Sequence, residues 1–176
     1  MKTESAEKQL DRFLNRFTPE VAGLARTTLA KLRKRLPHAK ELVYDNYNAL
    51  AIGFGPSERS SEGIFSIAVY PRHINFFFLQ GAKLPDSEGL LQGAGSVVRH
   101  IAEIDEKTLD RPEVKAMMET AMKMARVPFD GKKKYELIIK SVSEKQRPRR
   151  PATAKVKSKK ARSERGARKR WSRTGN

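Results

Sequence analysis

The sequence predicts an α+β fold: an antiparallel sheet of about five or six strands with N-terminal helices and one C-terminal helix packed on it, plus a disordered basic tail. Three observations predict it. Apolar residues recur at helical spacing near residues 10–32 and 114–125. Short runs rich in β-branched and aromatic residues lie between and after these segments. Positive charge is concentrated in the last 32 residues.

Two helices are expected first. Within residues 5–17 the apolar side chains fall at positions i, i+3, i+4 and i+7, which places them on one helix face. They are Leu10, Phe13, Leu14 and Phe17. Thr18 is a suitable N-cap and Pro19 suits the first turn of a second helix, which should end near Leu36 because Pro37 follows.

Strands are expected next, because the apolar runs are short and are separated by turn pairs such as Gly55-Pro56 and Pro71-Arg72. The runs are 48–54, 64–70, 74–79, 96–104 and 135–142, with a short extended piece before the first. Tight turns between neighbouring runs favour antiparallel pairing. A last helix is expected from about Asp110 to Arg126, with a methionine-rich face that belongs to the core.

The connector over residues 80–95 contains four glycines. A dinucleotide-binding G-x-G-x-x-G pattern would require a third glycine where Val98 stands, so a phosphate-binding loop is disfavoured. The connector is expected to turn the chain, with Asp86 or Ser87 capping a short helical turn that Gly93 ends. The alternative is the rim of a ligand pocket. Its residues would be Lys83, Asp86, Gly93, Gly95 and Arg99.

The C-terminal segment 145–176 carries fourteen Lys or Arg and one acid, so it holds +13 of the net charge of +17 and leaves +4 for residues 1–144. It contains few large apolar side chains, and its like charges repel one another. We therefore predict a folded domain over 1–144 and a tail over 145–176 that is disordered when free, with the boundary near Pro148 and Pro151.

A flexible cationic chain binds polyanions by releasing condensed counterions, without reading sequence, so the predicted partner of the tail is nucleic acid. Trp171 could stack on an unpaired base. The residues expected to make these contacts are Arg149, Arg150, Lys155, Lys157, Lys159, Lys160, Arg162, Arg165, Arg168, Lys169, Arg170 and Trp171. The alternatives are a solubilising tail without a dedicated partner, or electrostatic contact with an anionic membrane surface or an acidic protein, without membrane insertion.

Several classes of chemistry are disfavoured. The chain has no cysteine, which excludes disulfides, thiolate nucleophiles and Cys-ligated metal sites. Its N-terminus is hydrophilic and no apolar run approaches the ~20 residues of a membrane-spanning helix, so the expected location is cytoplasmic. Ser66 and Ser96 lack a nucleophile-elbow pattern, and no nucleophile–base pair is recognisable. We expect no catalytic residues and no enzymatic activity.

Three blocks of the sequence resemble the YdhG-like family of bacterial domains of unknown function. The blocks are residues 41–86, "GLLQGAGSVVRHI" at 89–101 and "IIKSVSEKQRPRRP" at 138–151, within a resemblance that covers roughly residues 10–150. The resemblance implies a compact α+β fold with helices packed on an antiparallel sheet. Some members of the wider family are described as frataxin-like iron chaperones, so the resemblance also implies iron binding as a function.

Two functions therefore stand beside each other. One is a non-catalytic binding module, in which the YdhG-like domain recognises a small ligand or a protein while the tail holds nucleic acid. It needs no cofactor. The other is a frataxin-like iron-binding chaperone. Its expected ligands are His73 and His100, which would approach each other if their strands were neighbours, with Asp45 and Asp86 as candidate carboxylates.

Overall fold

A computed structural model of the chain describes residues 4–153, which form three α-helices and a six-stranded mixed sheet. The helices are α1 (Ala6–Leu14), α2 (Pro19–Arg35) and α3 (Pro112–Met124). The strands are β1 (Lys40–Asp45), β2 (Leu50–Gly55), β3 (Phe65–Val69), β4 (Ile74–Phe78), β5 (Arg99–Ile101) and β6 (Glu136–Val142). The α+β class predicted from the sequence is confirmed.

The strands follow the order β5-β4-β3-β2-β1-β6 across the sheet. Neighbours from β1 to β5 pair antiparallel, as the tight turns predict, whereas β6 pairs parallel with β1. The reason is the connection. After β5, which runs in the same direction as β1, the chain passes through α3 to the opposite edge and enters β6 at the end of the sheet where β1 begins. The expected strand over 96–104 is reduced to three residues.

Local signals account for the helix boundaries. The Thr18 hydroxyl accepts a hydrogen bond from the Val21 amide at 3.4 Å, and Pro19 is the first residue of α2. Ser5 caps α1 in the same way, through the Lys8 amide. In α3 the side chains of Met117 and Met118 are buried in the core, as their spacing indicates.

The core lies between the helices and one face of the sheet, where alternate strand residues point inward. Phe65, Phe76 and Phe78 form its aromatic centre, with ring centroids 5.0–5.8 Å apart. Such pairs contribute about 0.5–1.5 kcal/mol each beyond the area that they bury. Within residues 4–153, no helix combines the length and apolar character that crossing a membrane requires.

One buried polar cluster ties α2, β1 and the start of β6 together. The Glu41 carboxylate is fully buried and accepts two hydrogen bonds from the Arg33 guanidinium, at 2.8 and 3.0 Å. The Tyr135 hydroxyl donates to the same carboxylate at 2.7 Å. Burial, together with the charge of Glu41, raises the pKa of Tyr135 well above its usual range. Burial alone would lower the pKa of Arg33, but its hydrogen bonds and ion pair with Glu41 raise it.

This cluster predicts a loss of stability at alkaline pH. The raised pKa of Tyr135 contributes stability that is complete below the unfolded-state value of about 10 and is lost as the pH rises above it, at up to ~1.4 kcal/mol per pH unit. Urea unfolding between about pH 9 and 11 should therefore show a steeper loss in the wild-type protein than in Tyr135→Phe. Tyr47→Phe, at a half-exposed tyrosine, should keep the wild-type slope. Equal slopes for wild type and Tyr135→Phe would contradict the prediction.

Candidate nucleic-acid interface

A groove of about 660 Å³ lies at the end of the sheet where β1 and β3 end and β2 and β4 begin. Three segments form it: the β1–β2 turn, the β3–β4 turn and the chain after β6. These segments meet because strand direction alternates in an antiparallel meander, so that every second turn lies at the same end of the sheet. We call it the basic groove and define it by Asn48, Tyr70, Arg72, His73, Arg147 and Arg150.

The wall of the groove after β6 is held by backbone hydrogen bonds. The Ser143 amide donates to the Asp45 carbonyl and the Arg147 amide to the Tyr47 carbonyl, both at 2.9 Å. The Gln146 side chain also donates to the Asp45 carbonyl, at 3.1 Å. The first nine residues of the predicted tail, 145–153, thus belong to the part of the chain that the structure describes, and Gln146, Arg149 and Arg150 bind to the domain through their side chains.

A buried ion pair fixes this wall. The Asp45 carboxylate is fully buried, and the Arg149 side chain is only 3% exposed. Arg149 Nη2 donates to Asp45 Oδ1 at 2.7 Å and to the Asn46 carbonyl at 2.5 Å. Arg16 pairs with the second carboxylate oxygen, and the Arg149 guanidinium lies 5.7 Å from the centroid of the Phe17 ring. Arg149 was predicted to contact nucleic acid, but its guanidinium is enclosed by the domain.

The Arg150 side chain binds carbonyls at the end of α1 and also lines the basic groove. Its Nε donates to the Phe17 carbonyl at 3.1 Å and its Nη2 to the Asn15 carbonyl at 3.4 Å, just beyond the C-terminus of α1. A cation is favourable there because the helix dipole places partial negative charge at that end. The same side chain lines the basic groove, so the C-terminus of α1 holds one of the groove's cations in place.

The groove is positively charged and has aromatic walls. It contains three arginines and a histidine, and none of the described residues that line it is acidic. The Tyr70 ring stacks on His73 with centroids 4.8 Å apart and an interplanar angle of 25°. Tyr47 precedes Asn48 and is not part of the groove lining; it is 50% exposed, and the Arg147 guanidinium lies 5.6 Å from its ring centroid.

This combination is suited to binding and offers no recognisable nucleophile. Guanidinium groups bind phosphate through paired N–H donors, and aromatic rings stack on bases. The Asn48 side chain adds an amide that can both donate and accept hydrogen bonds. Sequence reasoning missed Asn48, Tyr70, Arg72 and Arg147. The signal that could have found them is that alternate turns of a meander lie at one end of the sheet.

Most of the predicted tail contacts lie outside the described residues. They are Lys155, Lys157, Lys159, Lys160, Arg162, Arg165, Arg168, Lys169, Arg170 and Trp171. Their sequence positions place them after the chain has passed the groove, whose wall includes Pro151 and Ala152.

The residues of the predicted ligand pocket mainly shape the connector between β4 and β5. The Asp86 carboxylate accepts hydrogen bonds from the amides of Leu90 and Leu91, at 2.8 and 2.9 Å, and its carbonyl accepts one from the Gly89 amide at 3.3 Å, which closes a single turn over residues 86–89. The Arg99 guanidinium donates to the carbonyls of Gly95 and Val98.

Two more of these residues lie in the same connector. Gly93 has a φ of +122°, which glycine tolerates and other residues rarely adopt, and Lys83 is exposed. A small cavity of about 160 Å³ lies beside the connector and α3, and Asp86 is the member of the predicted set that lines it.

The two candidate metal ligands are held apart. His73 lies in the turn before β4 and stacks on Tyr70, whereas His100 lies opposite Phe77 on β5 and stacks on that ring at 5.0 Å. Phe77, which pairs with His100, follows His73 by four positions, and four positions of extended chain span about 13 Å. Asp45, a candidate carboxylate, is paired with two arginines. Residues 4–153 contain no group of three or more His, Asp or Glu side chains arranged to hold a metal ion.

Comparisons of the chain with family models, curated proteins and solved structures give no match. The resemblance to the YdhG-like family therefore stays a prediction.

The buried ion pair predicts a large effect of Asp45→Asn. The change leaves the enclosed Arg149 guanidinium without its carboxylate, so we expect a loss of about 3–5 kcal/mol in the free energy of unfolding. Faster amide exchange at Ser143 and Arg147 should accompany it, because the wall of the groove detaches.

The matched control is Asp11→Asn, which removes the exposed pair with Arg26 and should cost no more than about 1 kcal/mol. Denaturant unfolding measures both losses, and hydrogen exchange measures the local release. Similar small losses for the two variants would show that Asp45 does not hold the segment.

Proposed function

We propose that this protein is a non-catalytic binding module that holds nucleic acid without reading its sequence, through the basic groove and the C-terminal tail acting together. The observation that carries the proposal is the groove itself. It gathers Arg72, Arg147 and Arg150 at the place where the described chain ends.

The charge of the segment that follows supports the proposal. The 23 residues after Thr153 contain ten Lys or Arg and one Glu, and in sequence they follow closely on Ala152, which lines the groove. A polyanion bound in the groove is thereby brought to a high effective concentration near these cations, and the reverse also holds. Two weak electrostatic contacts on one chain can then bind far more tightly than either contact alone.

Sequence independence follows from the residue types. Arginine and lysine contacts to phosphate position a nucleic acid but carry no sequence information. Base-edge readout requires an element that enters a groove of the duplex, such as a recognition helix. The arginines of the groove lie on the β3–β4 turn and on the chain after β6, at one end of the sheet.

The first test is the salt dependence of binding. With about 6–10 phosphate contacts, affinity for mixed-sequence DNA or RNA should fall by about 10³–10⁵ between 50 and 200 mM salt. Replacing Arg72 and Arg147 together by Ala should reduce the slope of log K against log [salt] by about 2. Fluorescence anisotropy of a labelled oligonucleotide measures both quantities.

The matched control removes the same charge at the other end of the sheet. Arg59 and Arg126 line a separate cavity beside the C-terminus of α3, and replacing both by Ala should leave the slope close to that of the wild-type protein. If the two double variants reduced the salt slope equally, binding would depend on net charge alone, and this would contradict a role for the groove. Salt-sensitive binding to anionic vesicles with none to nucleic acid would contradict the proposal as a whole.

A shortened chain tests the tail. Ending the chain at Thr153 removes ten cations but keeps Arg149, so the thermal unfolding midpoint should stay unchanged while the affinity and the salt slope fall. A deletion from Lys145 would also remove the partner of Asp45 and would confuse folding with binding. If the chain ending at Thr153 binds as well as the full chain, the tail has no part in the function.

A further inference from the structure

The β3–β4 turn presents a rigid aromatic platform in the basic groove. The turn is closed by a hydrogen bond from the Tyr70 amide to the His73 carbonyl at 2.9 Å. It places the stacked rings of Tyr70 and His73 in the groove wall, with Arg72 between them in sequence and exposed. A base that stacks here would meet a fixed surface and a nearby cation for its phosphate.

A second aromatic surface lies on the neighbouring β1–β2 turn. Tyr47 is half exposed, although tyrosine usually buries most of its ring, and Arg147 covers part of it. Asn48 follows directly and lines the groove. Aromatic, guanidinium and amide groups thus lie next to one another at this end of the sheet.

The dimensions favour one or two nucleotides. Cavities that enclose small ligands typically measure about 300–1,000 Å³, and the groove, at about 660 Å³, falls within that range. In a duplex the faces of the bases are covered by their stacked neighbours, so that only the phosphates would reach the arginines. In a single strand the base faces are free to stack on aromatic side chains.

We infer that the basic groove binds an unpaired nucleotide by stacking its base on the Tyr70–His73 pair and pairing its phosphate with Arg72 and Arg147. The preferred nucleic acid is then single-stranded. This inference rests on the proposed function and narrows it, because the tail by itself would bind single strands and duplexes through charge alone.

The test uses the full-length protein with two labelled probes, an oligo-dT strand and a mixed-sequence duplex of the same length. We expect tighter binding of the single strand. Tyr70→Leu should weaken it by about 5- to 150-fold, which is the loss of one base-stacking contact. Duplex binding should change by less than about twofold, since phosphate contacts are retained.

Two further variants separate stacking from folding. Tyr70→Phe keeps the ring and should bind the single strand like the wild-type protein. Phe77→Leu removes the ring that stacks on His100, a pair of the same kind that joins β4 and β5 outside the groove, and should leave binding unchanged.

Each outcome is decisive. Equal affinity for single strand and duplex, or single-strand binding that Tyr70→Leu does not weaken, would overturn the inference and leave the proposed function standing. Displacement of the oligonucleotide by thymidine monophosphate at equal nucleotide concentration would overturn it in favour of a free-nucleotide site. Absence of binding to both probes at low salt would sink the proposed function, and this inference with it.

Discussion

The burial of the Asp45 carboxylate decides where the chain runs after β6. A carboxylate taken out of water requires a cation and hydrogen bonds, and Arg149 and Arg16 supply them. Because Arg149 is held at this place, its neighbours Arg147 and Arg150 lie along the turns of the sheet instead of extending into solvent. The basic groove exists only because this segment forms its wall.

Asp45 has a counterpart at the other end of the same strand. Glu41 is also fully buried, faces the same side of β1 and is paired with Arg33 from α2, while Tyr135 reaches it from the residue before β6. The two carboxylates thus hold β6 at its start and just after its end. This arrangement ties both ends of an edge strand that arrives by a long crossover to β1, although the register of the pair shifts by one residue between Val43 and Tyr44.

The same architecture separates a rigid part of the interface from a part defined by charge alone. A backbone hydrogen bond and stacked rings within the β3–β4 turn fix the positions of Tyr70 and His73. In the proposed function, the cations after Thr153 contribute long-range attraction, which needs no fixed geometry. In the proposed function, the tail increases the rate of encounter and the groove sets the preference for one kind of strand.

Local pattern was sufficient for most of the elements, because helix caps, apolar periodicity and turn pairs act over a few residues: Thr18 and Pro19 start α2, and the methionine face of α3 is core. The partition of charge was likewise readable from composition. Only the tertiary structure decided that Arg149 is an internal counter-ion, that β6 runs parallel to β1, and that His73 and His100 stack on different rings. Asp45 and Arg149 lie 104 positions apart in sequence. Whether two such residues are buried together depends on tertiary packing, which composition and local spacing do not determine.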